Sequence, residues 1–201
     1  AQIYEPPLQY SYFKRPEQLV GLTTSEDIKI TFYNKDNELV DGNDPKSVAY
    51  TLYDIKIKPN ILFANHPALA KDEAGQRVYK TTADIDWSDI DTLSDFEHMG
   101  TRELTAADYV YQIKRLASPK VVSNIAELMK EHIYGLAEYS EVLQQSCAQG
   151  ECARDTYLNL NQHDITGVKI INDYHFQVKV EGMYRQFKYW LAMPFFAPIP
   201  W

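Results

Sequence analysis

Three groups of residues in this chain have types and spacings that could do chemistry. The first is acidic. Residues 81–97 (TTADIDWSDIDTLSDFE) carry six acids and no base. Asp84, Asp86 and Ser88 fall at the first three ligand positions of a helix-loop-helix calcium loop, where oxygens at alternate residues converge on one hard cation. The pattern then breaks. Position six, which needs Gly for a sharp turn, is Asp89, and position twelve, which needs a bidentate Glu, is Asp95. A solvated acidic loop is the preferred reading, with Ile85, Trp87, Ile90, Leu93 and Phe96 tacking it down. The second group is Cys147 and Cys152 in SCAQGEC. A four-residue gap containing Gly150 permits a local disulfide, which would point to an oxidising compartment. Two unpaired thiols are the alternative, and a metal site would need a further ligand, for which His163 is the one candidate. The third is His132, on the apolar face of an expected helix, where a satisfied core histidine is preferred over a ligand. The chain has no nucleophile elbow, phosphate-binding loop, Gly-rich dinucleotide fingerprint or HExxH motif. No catalytic residue, metal ligand or cofactor is therefore assigned.

Composition narrows the classes. The chain has 201 residues, 45% hydrophobic and 24% charged, enough for one sizeable domain or two small ones. Fifteen of its residues are tyrosine, a side chain that suits half-buried strands and lined clefts. A net charge of −8 without a basic stripe argues against nucleic acid as partner. No apolar run approaches the roughly 18 residues of a membrane span. No basic, apolar leader opens the chain, so it is either cytosolic or lacks a leader that was removed.

The elements that would position these groups can be taken in order. Residues 1–12 (AQIYEPPLQYSY) are too apolar for a free tail, which suggests that the chain starts inside a fold; residues 8–12 alternate as a short strand. Residues 27–33 and 47–58 alternate as two strands that pair antiparallel across a polar excursion containing Asp41-Gly42. In the second, Ala49, Thr51, Tyr53, Ile55 and Ile57 share a face. Residues 59–79 are loop-like. Residues 105–117 form the most legible element. Thr105 and Asp108 make a variant capping box, Ala106, Ala107, Val110, Ile113, Leu116 and Ala117 give an apolar face, Lys114 and Arg115 suit the C-terminal dipole, and Pro119 ends the run. Residues 121–139 predict a second helix capped by Ser123, continuing towards the cysteines. Residues 165–180 predict a hairpin turning at Asn172-Asp173, and residues 184–192 a short helix. The closing MPFFAPIPW is almost wholly apolar and must pack against something.

Together these residues resemble a known family. A strand, Asp-Gly turn, strand unit is followed by LTAADYVYQIKRL, then ITGVKIINDYHFQVKV, then FKYWLAMPFFAPIP. This order is similar to the N-terminal portion of the family 5 extracellular solute-binding proteins, the oligopeptide- and dipeptide-binding components of ABC importers. Thr105, Ala106, Asp108 and Val110 match the helix motif; Gly167-Val168 and Asp173 match the hairpin; Phe187, Leu191-Ala192, Pro194 and Pro198 match the last segment. Tyr4-Glu5-Pro6 resembles the "YE" segment before the first strand. The long 59–99 insert replaces the family's aromatic strand with "F.DG.P" and is not covered.

The resemblance implies an α+β (mixed α/β) chain, a fragment of a type II periplasmic binding protein-like lobe with antiparallel strands and a few helices. Residues 1–22 and 164–201 would belong to the first lobe. Residues 23–163 would form a small extra domain, with an acidic insert (59–99) and a helical region (105–153). It implies a monomeric periplasmic protein that binds an oligopeptide and passes it to membrane permease subunits, without catalysis. Tyr4, Glu5 and Pro6 are the expected ligand-binding residues by position in the family, with Glu5 either facing a cationic group of the ligand or, in the preferred reading of the residue itself, serving as a surface acid beside a turn. Two alternatives are carried: an interaction module that docks a partner through the Pro-rich tail, and, ranked last, a hydrolase using the carboxylates of residues 84–97.

Overall fold

The computed structural model describes residues 4–80, 85–153 and 157–200. Two compact units are present. One joins Ala1–Lys58 to Thr105–Trp201, and the other is Pro59–Leu104. These borders lie at 58/59 and 104/105, whereas the resemblance set lobe borders at 22/23 and 163/164.

The first unit is built on two antiparallel sheets. Strands β1 (Leu8–Tyr10) and β2 (Leu19–Gly21) pair with each other. Strands β3 (Lys29–Tyr33), β4 (Tyr50–Lys56), β5 (Val168–Asn172) and β6 (His175–Glu181) form a four-stranded sheet in the order β3-β4-β6-β5. The long-range step is β4 against β6, with Tyr53 opposite Val178 and Ile55 opposite Phe176. Period-two alternation decides what each face buries. Thr51, Tyr53, Ile55, Ile57, Phe176, Val178 and Val180 are buried, while their neighbours Leu52, Asp54, Gln177 and Lys179 are half-exposed on the outer face. At the β5 edge the alternation ends: a bulge between Ile170 and Asn172 leaves Ile170 and Ile171 exposed.

Helix α1 (Ala106–Leu116) forms as its residues dictate. The Thr105 backbone N–H and hydroxyl donate to the Asp108 carboxylate at 2.8 and 3.2 Å, the expected capping pair. Its burial is wider than the expected single face. Asp108, Gln112 and Lys114 are also buried, each with polar partners, so α1 is a central helix and not an amphipathic cover. The Ala106 N–H donates to the Asp173 carbonyl at 2.7 Å, so the hairpin turn finishes the helix cap.

The expected helix over residues 121–139 is two helices, α2 (Ala126–His132) and α3 (Leu136–Ser146), and α2 is preceded by Ile125 and not capped by Ser123. The break has a tertiary cause. Ile133 bridges to Val180, Tyr134 N–H donates to the Lys179 carbonyl at 3.0 Å, and Gly135 takes a φ of 78° before α3 begins. Apolar spacing is unchanged across 125–136, so periodicity alone could not reveal it. Gly167 lets this crossing happen. Any Cβ there would overlap the Tyr134 carbonyl oxygen and lie 2.7 Å from the Tyr134 Cβ. Gly167→Ala should therefore destabilise the first unit by about 1–3 kcal/mol, read as a lower urea midpoint with an unchanged slope.

His132 is half-buried and stacked on the Tyr184 ring at 3.7 Å, in place of the expected core position. Cys147 and Cys152 form a disulfide across a single π turn, with Cα atoms 4.6 Å apart. The closing segment packs on the chain's own core. A short helix α4 (Phe187–Trp190) places Phe187 edge-on to Phe196, Phe196 and Ala197 are buried, and Gln112 donates to the Phe195 carbonyl at 2.9 Å.

The second unit, Pro59–Leu104, is held by isolated antiparallel bridges, Leu62 to Glu103, His66 to Gly100 and Lys71 to Arg77. Short 3-10 turns lie at Pro67–Leu69 and Leu93–Asp95. In the acidic loop, Ile85, Ile90 and Phe96 are half-buried as expected of anchors, but Trp87 and Leu93 are exposed. Among the described residues, no helix is long and apolar enough to cross a membrane.

Candidate functional site

The expected ligand segment begins the described chain, and α1 fixes it. Pro6, Pro7 and Leu8 are buried, while the Glu5 side chain is exposed. Backbone bonds hold the run from both sides. The Pro7 carbonyl accepts from Leu22 and Thr23 N–H at 3.0 and 3.2 Å, and Leu8 N–H donates to the Leu191 carbonyl at 3.1 Å. The two prolines need no donors here, which suits a buried extended run. The anchor at Glu5 itself comes from 104 residues away: the Tyr109 hydroxyl donates to the Glu5 carbonyl at 3.3 Å. With that proton committed, the Thr23 hydroxyl donates to the Tyr109 oxygen at 2.6 Å. The Tyr109 ring stacks on Phe176 at 5.5 Å, so the β6 core sets where the hydroxyl points. Burial pushes the Tyr109 phenol well up from its ordinary value; the Thr23 hydrogen bond opposes this, and the Glu5 and Asp108 charges add to it. The phenol is thus a neutral donor at physiological pH. The result is an exposed carboxylate on a backbone that is pinned at three points. Chemically, it can offer one anion to a cation from a fixed backbone position.

The other sequence candidates do not assemble into a centre. Asp84 lies outside the described residues. Asp86 accepts from the Ser88 N–H and hydroxyl, at 3.0 and 2.8 Å. Asp95 accepts from Thr92 N–H at 2.7 Å and from Asp91 N–H at 3.1 Å. These bonds hold both carboxyls below the ordinary carboxylate range, the Thr92 and Ser88 backbone donors contributing most. The acids serve as local turn and 3-10 caps. Among the described residues, no group of three or more His, Cys, Asp or Glu is placed to hold a metal. His163 is exposed, and both cysteines are taken by the disulfide.

One polar cluster was not found from the sequence. On the outer sheet face, Asp54 accepts from His175 Nε2 and Gln177 Nε2, both at 2.6 Å. Its signal was the polar half of the β4 alternation, but the β4–β6 register needed to pair it with His175 is not readable from spacing. Among the described residues, no nucleophile is hydrogen-bonded to His175; the Asp54 carboxylate orients its imidazole. Beside it, Lys179 lies 3.9 Å from the Tyr50 ring centroid and 4.1 Å from that of Tyr134, and Tyr50 stacks on Tyr33 at 4.9 Å.

No protein-family model and no curated protein matches this sequence. Solved structures do match in fold. The murein tripeptide binding protein MppA of Escherichia coli superposes with a TM-score of 0.52 at 12% identity, over 99% of this chain and 25% of that one. A periplasmic oligopeptide-binding protein, OppAIV of Borrelia burgdorferi, gives 0.51 at 13% identity, over 99% of this chain and 26% of that one. The mixed α/β architecture with antiparallel sheets is that of a fragment of the type II periplasmic binding protein fold. The chain spans about a quarter of the length of these structures.

Proposed function

We propose that this chain is part of an extracellular solute-binding protein that captures oligopeptides for an ABC importer. The observation that carries the reading is the shared fold across 99% of the chain with proteins described as peptide-binding, at TM-scores above 0.5. In this reading the parent protein is a monomer in the periplasm. It closes two lobes around a peptide and delivers it to permease subunits, with binding and hinge motion in place of chemistry. Residues 1–22 and 164–201 belong to the first lobe and residues 23–163 to the small extra domain. The four-stranded sheet then straddles that border, β3 and β4 on one side and β5 and β6 on the other. The resemblance does not extend to the acidic insert of residues 59–99.

Tyr4, Glu5 and Pro6 form the ligand-binding segment, in which the buried Pro6 holds the backbone and the exposed Glu5 is the partner of the peptide's terminal ammonium. Its support is the exposed carboxylate on a pinned backbone. In the parent protein, Glu5→Gln should weaken binding of free-amino peptides by about tenfold, the scale of one charge-assisted contact. N-acetylated peptides should bind both forms alike. Equal affinity of the two proteins for free-amino peptides would remove Glu5 from the site.

The alternatives lose their motivating observations. The apolar tail that favoured an interaction module is packed on the chain's own core through Phe196 and Ala197. Of the described carboxylates of residues 85–97 that a hydrolase would use, Asp86 and Asp95 are engaged in local caps.

A further inference from the structure

A half-open cavity of about 460 Å³ lies in the first unit between α1 and the edge strand β5. Its apolar wall is Ala107 and Val110 from the helix, and Val168 and Ile170 from the strand. Its floor is an ammonium. The Lys114 side chain is only 5% exposed, and Lys114 Nζ donates to Asp164 Oδ1 at 3.2 Å and Asn161 Oδ1 at 3.5 Å. Burying an ammonium is costly unless a carboxylate compensates it. The compensation here is weak on its anionic side, because the Asp164 side chain is 95% exposed and its charge is screened by water. An ammonium has three donors, and the Asn161 contact is at the limit of hydrogen-bond length. In a chain of net charge −8, this lining is locally cationic, with Lys114 and Lys169 against Asp164.

We propose that this cavity binds a small aliphatic carboxylic acid, its carboxylate replacing Asp164 on the Lys114 ammonium and its aliphatic group lying against Ala107, Val110, Val168 and Ile170. A carboxylate delivered inside the cavity is less screened than Asp164, so its charge-assisted bond to Lys114 is the stronger one. Aliphatic burial supplies the remainder and accounts for the exposed Ile170 at the rim. One buried ammonium with apolar walls, Lys169 being exposed, suits a monoanion with a branched tail better than a multiply charged phosphate. The site is separate from Glu5, and its occupancy does not depend on the peptide-import reading.

The test is a methyl-detected NMR titration of the full chain with 4-methylpentanoate and with N-acetyl-leucine, each beside its uncharged amide. Both acids carry the same chemistry, one as a free acid and the other as the last residue of a peptide. At least one acid should shift the Ala107, Val110, Val168 and Ile170 methyls saturably, with a Kd of roughly 1–10 mM, and the amides should bind at least about tenfold more weakly. The tighter acid identifies the source. Asp164→Asn removes the internal competitor at an exposed position and should tighten acid binding by about threefold or more. Lys114→Met should abolish binding; if that variant fails to fold, Asp164→Asn decides. Absence of shifts with both acids at about 50 mM, equal binding of the amides, or weaker binding by Asp164→Asn would overturn the proposal.

Discussion

Phe176→Ala should cost about 3–5 kcal/mol of folding stability, the range for truncating a fully buried aromatic side chain. Phe176 is 1% exposed near the start of β6, opposite Ile55, and its ring stacks on Tyr109. Deleting it leaves a cavity under the sheet and removes the surface that aims the Tyr109 hydroxyl. Two readouts follow. The urea midpoint should fall, and amide exchange should accelerate at Leu8, Leu22 and Thr23, whose N–H groups hold the segment next to Glu5. A truncation at the exposed Ile170 should stay within about 0.5 kcal/mol of the parent. If Phe176→Ala were as mild as that, Tyr109 would not be supported as described.

The second large effect is alkaline unfolding. Tyr53, Tyr109, Tyr111 and Tyr139 are buried phenols. Burial pushes Tyr53 and Tyr111 up to about 12, and Tyr109 and Tyr139 higher still. Tyr53 donates to the Tyr184 carbonyl at 3.1 Å and Tyr139 to the Leu160 carbonyl at 2.8 Å, bonds that a phenolate cannot make. In the unfolded chain these phenols titrate near 10.0. Folded pKa values raised above the unfolded value mean that the native state binds more protons than the unfolded state at high pH. Their stabilisation is therefore complete below pH 10.0 and is lost as pH rises from there through about 12. Phenolate absorbance should rise first for the exposed tyrosines with circular dichroism unchanged. A later rise should coincide with loss of circular dichroism. Complete ionisation of all fifteen tyrosines with a native spectrum would contradict the burial described.

Much of this architecture was legible because local chemistry and tertiary packing agree at particular places. Thr105, Asp108 and Pro119 bracket α1 where the sequence placed it. The alternation of Tyr53, Ile55 and Ile57 against Asp54 and Lys56 set the orientation of β4, and Asn172-Asp173 marked the hairpin to within one residue: Asn172 closes β5 opposite His175, and the turn residues are Asp173 and Tyr174. What could not be read is where tertiary contact overrules local pattern. Ile133 and Leu136 keep helical spacing, yet Ile133 bridges to β6, so one expected helix is two. Lys114, Gln112 and Asp108 look like a polar face and are buried: Lys114 and Gln112 have partners far along the chain, and Asp108 caps its own helix through Thr105. Trp87 and Leu93 have the composition of anchors but face solvent, since the second unit has little core to receive them. At the candidate site, Glu5 could be named only by resemblance. The Tyr109–Thr23 relay that fixes its backbone joins three distant segments, and no spacing rule connects them.

The central claim is that this chain is one part of a two-lobed peptide-binding protein, with Glu5 on a face that needs the other lobe to complete the site. The most direct measurement is titration calorimetry with a mixed di- to pentapeptide library, performed on this chain and on the longer protein that contains it. The longer protein should bind with a Kd near or below about 10 μM, while this chain alone should bind at least about a hundredfold more weakly, because one wall of a cleft buries too little of the ligand. No peptide binding by the longer protein, or micromolar binding by this chain alone, would contradict it.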